Sequence, residues 1–272
     1  MGFREMTLSS SQMESKQSLR YGTRAHDTGV GRVLYWSSRA IALLFHHRVV
    51  TLLNRYGVLL PSAIVVDTDS FPQITSGYFK DEQIILDSLT IDLSNPVDLS
   101  LHRRANPPID DTLDAIRPFL KVKSHSIATA VLRIEGESSN LSGIEKAVSD
   151  RQYTILEQSR APEVAAERLL GLGFGLTPSG DDFALGVIST MNLLGKDTSN
   201  LYQSINEYDY PLSRTLLFDA LDEFYSEPLY HFIDSLSHGT LSNKELAKLL
   251  ETGHSSGSDI LAGVYYTLSQ QS

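Results

Sequence analysis

Hydrophobic positions divide this chain into two stretches of different rhythm. Between Gly31 and about Ile134 they come in short runs rich in Val, Ile, Leu and aromatics: Val33–Trp36, Val49–Leu53, Ala63–Asp67, Gln83–Leu86 and Ile127–Ile134. Turn formers separate the runs at Asn54–Gly57, Asp67–Pro72, Ser94–Pro96 and Asn106–Pro108, a pattern that predicts strands. One helix is expected at Asp111–Leu120, ending near Pro118, and Ala40–Phe45 fits a helix or a strand. After about residue 140 the spacing turns helical over Glu163–Leu170, Phe183–Leu194, Leu201–Ile205, Ser213–Phe224, Pro228–Ser237, Lys244–Leu250 and Ile260–Leu268. Pro162 suits the first turn of its helix and Gly171 the stop. Residues 1–29 are polar and without a period, and read as a weakly structured, flexible tail. The expected fold is therefore α+β. A strand-rich domain over 30–140 forms a small antiparallel barrel or sandwich, and a helical domain covers 141–272.

Composition narrows the chemistry. The chain has 272 residues and a formal charge of −10, with 23 Lys and Arg against 33 Asp and Glu. An acidic chain without a basic stripe is a poor partner for nucleic acid or anionic lipid, because both rely on charge neutralisation. The absence of cysteine removes disulfides, thiolate nucleophiles and thiolate metal sites together. No apolar run approaches membrane-spanning length, and the N-terminus lacks the apolar core of a signal peptide, so a cytoplasmic location is expected.

One short loop occurs twice. Gly171-Leu172-Gly173-Phe174-Gly175-Leu176-Thr177-Pro178-Ser179-Gly180-Asp181-Asp182 leads into a helix, and so does Gly253-His254-Ser255-Ser256-Gly257-Ser258-Asp259. With Ser179 placed on Ser256, an offset of 77 residues, Ser, Gly, Asp and a later glycine coincide, the last as Gly186 and Gly263. Ser179 with Asp182 and Ser256 with Asp259 each spell Ser-x-x-Asp, which a helix cap alone would explain. Capping does not explain the Gly-x-Gly-x-Gly approach, nor glycine inside a helix, where it costs about 1 kcal/mol relative to Ala. Gly186 and Gly263 instead predict a close helix crossing that brings the two N-termini together. Glycine-rich backbone at helix N-termini suits an anion, which assigns Gly175, Thr177, Ser179, Gly180, Ser255, Ser256 and Gly257 to substrate binding. Asp181, Asp182 and Asp259 then hold a cation, accept N–H groups of an amide-bearing substrate, or act as bases. His254 is a proton donor, an anion contact or a structural group. No cofactor is required by the sequence, and a divalent cation stays open.

Other motifs fall away. No Lys follows Gly180, as a P-loop needs, and a helix rather than a strand precedes the glycines, against a dinucleotide fingerprint. His-x-x-x-His and His-Glu-x-x-His do not occur, and no Gly-x-Ser-x-Gly lies between a strand and a helix. Arg39 and Arg214 read as surface charges able to pair with a carboxylate, His46-His47 as a turn or strand edge, and Trp36 as core.

The two loops resemble those of a bacterial family once labelled a carboxylase, which includes the AllH-like subunit of oxamate carbamoyltransferase. Gly31-Arg32-Val33 and Ile91-Asp92-Leu93-Ser94 extend the resemblance over roughly residues 30–268. Ser255 stands where that family suggests Thr, and keeps the hydroxyl. The resemblance implies a component of a carbamoyltransferase in purine-ureide (allantoin) nitrogen degradation. Such an enzyme converts oxalurate and phosphate to oxamate and carbamoyl phosphate together with partner subunits. The alternatives are a non-catalytic metabolite-binding or scaffolding subunit, or another acyl- or carboxyl-transfer enzyme.

Overall fold

The computed structural model describes residues 14–46, 48–122, 126–138, 140–159 and 161–271. His47 of the His46-His47 pair and residues 1–13 of the expected tail lie outside them; His46 is an exposed bend residue. Contacts divide the chain into two units: residues up to 57 with 63–97, and residues 58–62 with 98–272.

The first unit is a β-barrel. Its strands are β1 (Glu14–Gly22), β2 (Val30–Trp36), β3 (Ala40–Leu44), β4 (Val49–Leu53), β5 (Ala63–Val66), β6 (Ser76–Lys80), β7 (Gln83–Leu86), β8 (Leu89–Asp92) and β9 (Pro96–Val97). They run in the order β5-β4-β3-β2-β6-β7-β8-β1-β9, and β1 also pairs with β5, so eight strands close a ring that leaves no open edge. Most pairs are antiparallel, with parallel pairing at β4–β5, β1–β8 and β1–β9. Alternate residues fill the interior, among them Ile41 and Leu43, Val50 and Leu52, Ile64 and Val66, Ile84 and Leu86, and Leu89 and Ile91.

Three local readings change here. Residues 14–22, expected within the tail, form β1; its Ser18 hydroxyl accepts from the Ser94 amide at 2.7 Å, and the Ser94 hydroxyl donates back to the Ser18 carbonyl at 2.8 Å. The Ala40–Phe45 run resolves as a strand over Ala40–Leu44. Trp36, expected in the core, is 41% exposed and donates its indole N–H to the Pro72 carbonyl. Gly31 has a packing reason: a Cβ there would lie 2.7 Å from the Phe45 ring.

The second unit is helical: α1 (Ile109–Val122), α2 (Ser126–Ile134), α3 (Gly143–Gln158), α4 (Pro162–Leu169), α5 (Ser179–Leu193), α6 (Leu201–Asn206), α7 (Pro211–Leu221), α8 (Glu227–Ser237), α9 (Asn243–Leu250) and α10 (Ser256–Ser269). The change from strands to helices falls near residue 98 rather than 140, because Ile127–Ile134 is α2 and not a strand. That run is buried from Ile127 to Leu132, and an apolar segment buried all round carries no period to separate helix from strand. Helix α1 runs through Pro118 and ends at Val122, later than expected. Among the described residues no helix is long and apolar enough to cross a membrane.

Helices α5 and α10 form the centre. Every residue of α5 except Leu185 is buried, as is α10 from Gly257 to Leu268. Such helices have no solvent face and must be packed from all sides; α4, α7 and α2 lie on α5, and α1, α2 and α9 on α10.

Candidate functional site

The two glycine loops start the two central helices, and glycine is what lets those helices meet. A Cβ on Gly186 would overlap the Ile260 carbonyl oxygen and lie 3.0 Å from its carbon; one on Gly263 would overlap the Phe183 carbonyl oxygen in the same way. These contacts are mutual: Phe183 and Gly186 stand to Ile260 and Gly263 at the same offset of 77 that aligns the loops (183 to 260, 186 to 263). The relation continues outward. Thr190 donates its hydroxyl to the Gly186 carbonyl at 2.8 Å, and Thr267 to the Gly263 carbonyl at 2.8 Å. A Cβ on Gly180 would lie 2.7 Å from the Leu169 carbonyl carbon at the end of α4, and one on Gly257 would lie 2.8 Å from that of Leu249 in α9. The structure thus contains two related helix–loop–helix units, α4–α5 and α9–α10, crossed at glycine.

The crossing brings the loops together. The Ser256 hydroxyl, from the second loop, lies close enough to the Asp182 carboxyl, from the first, to favour its charged form, and the Asp182 charge disfavours that of Asp259. Thr177 also donates to Asp182, at 3.3 Å. Asp182 is 3% exposed, and burial, reinforced by Asp181, pushes its carboxyl up to about 7 against the opposing hydroxyls. Asp259 is fully buried. Burial and then the Asp182 charge hold it well above the carboxylate range, with Ser255 opposing. Neither Asp259 oxygen has a well-formed hydrogen bond among the described residues. A buried carboxyl without a partner is costly and marks a place where a ligand atom or water belongs.

Asp181 plays a different part. Its carboxylate accepts the Gly171 amide at 2.8 Å and the Tyr208 hydroxyl at 2.9 and 2.8 Å, and the Ser213 hydroxyl makes a looser contact. Burial raises this carboxyl and those donors oppose it. The acceptor capacity of Asp181 therefore fixes the first loop, entered at Gly171 with φ +77°, to the segment between α6 and α7. The second copy has Ser258 at this position, so the repeat is asymmetric. Tyr208, stacked on Tyr210 with ring centroids 5.0 Å apart, lies outside both motifs, and no sequence pattern singles it out. Tyr208→Phe is expected to destabilise the protein by about 1–3 kcal/mol, since it removes the donor on a buried carboxylate; urea denaturation measures this, and a change below about 0.5 kcal/mol would be evidence against the clamp.

The remaining sequence candidates separate. The N-cap positions are Pro178 and Ser255, neither of which makes a side-chain cap hydrogen bond, so each Ser-x-x-Asp pair starts one residue inside its helix rather than at the cap. The Gly180 amide donates to the Leu172 carbonyl and the Gly257 amide to the Thr252 carbonyl, both at 3.0 Å, which removes these two donors from an anion site. By contrast, the amides of Gly173 through Thr177 have no protein acceptor among the described residues. Gly173 and Gly175 hold that stretch open at φ +145° and +100°. Ser179 is buried behind Gly173, and Ser255 and Ser256 are half-buried beside the carboxyls. His254 is exposed on the second loop. Arg39 is an exposed barrel residue, while Arg214 follows Ser213 on α7. Gly253-His254-Ser255-Ser256-Gly257 spells Gly-x-Ser-x-Gly, but α9 rather than a strand leads into it, so it is no nucleophile elbow. Among the described residues no group of three or more His, Asp or Glu is arranged to hold a metal ion.

Further buried polar atoms without partners lie on the segments around the loops. They include the Gln152 carbonyl oxygen, whose amide reaches the Leu172 carbonyl, as well as Ser213 and the Thr252 hydroxyl. The loops are thus bordered by acceptors and donors that no described residue satisfies. No curated protein and no solved structure matches the chain. A family model does match: over residues 169–268, which hold both loops and both crossing helices, the chain is AllH-like, similar to the family described as oxamate carbamoyltransferase subunit AllH.

Proposed function

We propose that this chain is a carbamoyltransferase component acting on oxalurate and phosphate, or in reverse on oxamate and carbamoyl phosphate, in purine-ureide nitrogen metabolism. The observation that carries the reading is the meeting of two related loops over buried carboxyls, one of them without a partner, inside the stretch that matches the AllH family. These ligands are small anions bearing amides. The open amides of Gly173–Thr177 suit the phosphate or carboxylate, with Thr177, Ser255 and Ser256 beside them. Asp182 and Asp259 suit the amide end, as acceptors of N–H or carriers of a proton, with Asp181 and His254 at the margins. Fixed polar groups around a buried reacting centre supply the main catalytic stabilisation. The family description names a subunit, so partner chains belong to this reading; Phe174 and Leu176, 55% and 56% exposed on the first loop, are apolar surface for such a partner to cover.

Carbamoyl phosphate formation from oxalurate and phosphate, measured with the chain alone and with its partner subunits, tests the reading. Asp259→Asn is expected to lower the assembled rate by roughly 100-fold or more, the usual range for a group that transfers a proton. An unchanged rate removes the catalytic role. Thermal shifts with phosphate, oxamate and carbamoyl phosphate separate binding from turnover. No shift with any of them favours a scaffolding subunit.

A further inference from the structure

The two halves of the repeat contribute one buried carboxyl each from equivalent positions, Asp182 on α5 and Asp259 on α10. The charge acting on Asp182 is that of Asp181, and the charge acting on Asp259 is that of Asp182; no cation acts on either among the described residues. Both carboxyls sit beside the helix crossing, Asp182 next to Phe183, whose carbonyl faces Gly263, and Asp259 next to Ile260, whose carbonyl faces Gly186. A hydroxyl, that of Thr177, donates to Asp182 at 3.3 Å, and neither Asp259 oxygen has a well-formed hydrogen bond among the described residues. Hydroxyls stabilise one buried negative charge poorly and two adjacent ones not at all. Asp181 differs in kind, because a backbone amide and the Tyr208 phenol occupy its oxygens.

We propose that Asp182 and Asp259 work as a single unit that holds one proton between them, and that Asp181 is a positioning residue outside that unit. The inference deepens the carbamoyl-transfer reading and rests on it for the identity of the proton acceptor. In that reaction a phosphate oxygen forms a bond to the carbamoyl carbon as the carbon–nitrogen bond breaks. The leaving nitrogen keeps the electron pair and takes the proton from the acid member. The carboxylate member takes the proton that hydrogen phosphate releases. The pair ends with one proton, as it began, so acid and base are regenerated in one step. A symmetric pair also serves both directions, since the member that donates forward accepts in reverse.

Infrared spectroscopy of the full chain at about pH 8.5, above the range in which Asp182 loses its proton, with aspartate carbon-13 labelling to identify the band, counts protonated buried carboxyls. The expected result is the intensity of one such carboxyl in the wild type and in Asp181→Asn, and none in the Asp182→Asn/Asp259→Asn double variant. Zero or two protons in the wild type overturns the proposal, and so does loss of the band in Asp181→Asn. Carbon-13 NMR of the labelled wild type gives the same count without any substitution, which keeps the test valid if a variant fails to fold. In the assembled enzyme, each single Asn variant of the pair is expected to lose about as much rate as the double variant, because groups that act as a unit are not additive; independent, multiplying losses would overturn it. One proton on the pair with no carbamoyl transfer in the assembled enzyme retains the proton-sharing unit and removes the functional reading instead.

Discussion

Asp182→Asn is expected to make the protein more stable while it disables the site, and the gain grows with pH. In the unfolded chain this carboxyl ionises near its ordinary 3.8; in the folded protein burial holds it up to about 7. The native state therefore binds more protons than the unfolded state between those values, and wild-type stability falls as pH rises through that window. Below about pH 4 the group is neutral in both states and costs nothing. Above about pH 7 the full penalty is present, on the order of 4 kcal/mol for a displacement of about three pH units. Asparagine keeps the shape, still accepts from Thr177, and carries no charge at any pH. Repulsion of Asp259 also disappears with it. Thermal melts at pH 4, 6 and 8 should show the variant equal to the wild type at the first and several degrees higher at the last. A variant less stable at pH 8, or an advantage that does not vary with pH, would show that the Asp182 carboxyl is not held against its ionisation. Stability conceded at a buried acid is what a functional site asks of a fold.

The crossing and the convergence of the loops were legible in the sequence because glycine carries a geometric meaning there. Gly186 and Gly263 have no reason to sit within helices unless something approaches them, and their equal offset from the two aspartates implies that each approaches the other's helix. Serine and aspartate at a helix start are ambiguous in sequence, since caps use the same residues; the position of each serine one residue inside its helix and the bond from Thr177 to Asp182 separate the readings. The choice of amides was not legible. Gly180 and Gly257 are needed for close approach to α4 and α9, and their N–H groups close turns, so the open donors lie earlier, from Gly173 to Thr177. Tyr208 stayed hidden because its role depends on a contact 27 residues away in sequence. Helix α3 was missed for a related reason. Its buried face includes Ser149 and Gln152, so the apolar period that marks a helix is broken by the polar atoms that face inward. Strand β1 has a single strongly buried side chain before its last residue, Ser18, and draws its place from pairing with β8 and β5 rather than from its own pattern.

Gly186→Ala and Gly263→Ala are each expected to destabilise the helical unit by more than about 3 kcal/mol, against the roughly 1 kcal/mol that alanine gains over glycine in an open helix. A methyl at either position overlaps a backbone carbonyl of the facing helix, and backbone has no rotamer with which to retreat. The helices must therefore move apart along most of α5 and α10, and the buried contacts of Phe183, Val187, Ile260 and Val264 loosen together. Because one separation relieves both clashes, the double variant should cost little more than either single one, a large departure from additivity that a double-mutant cycle in urea measures. The same movement carries Ser256 away from Asp182, so ligand-induced thermal shifts should vanish in the variants that still fold. Alanine variants that are neutral or stabilising would mean that the helices do not touch at these glycines, and with that contact the reason for placing the two loops over one ligand would go.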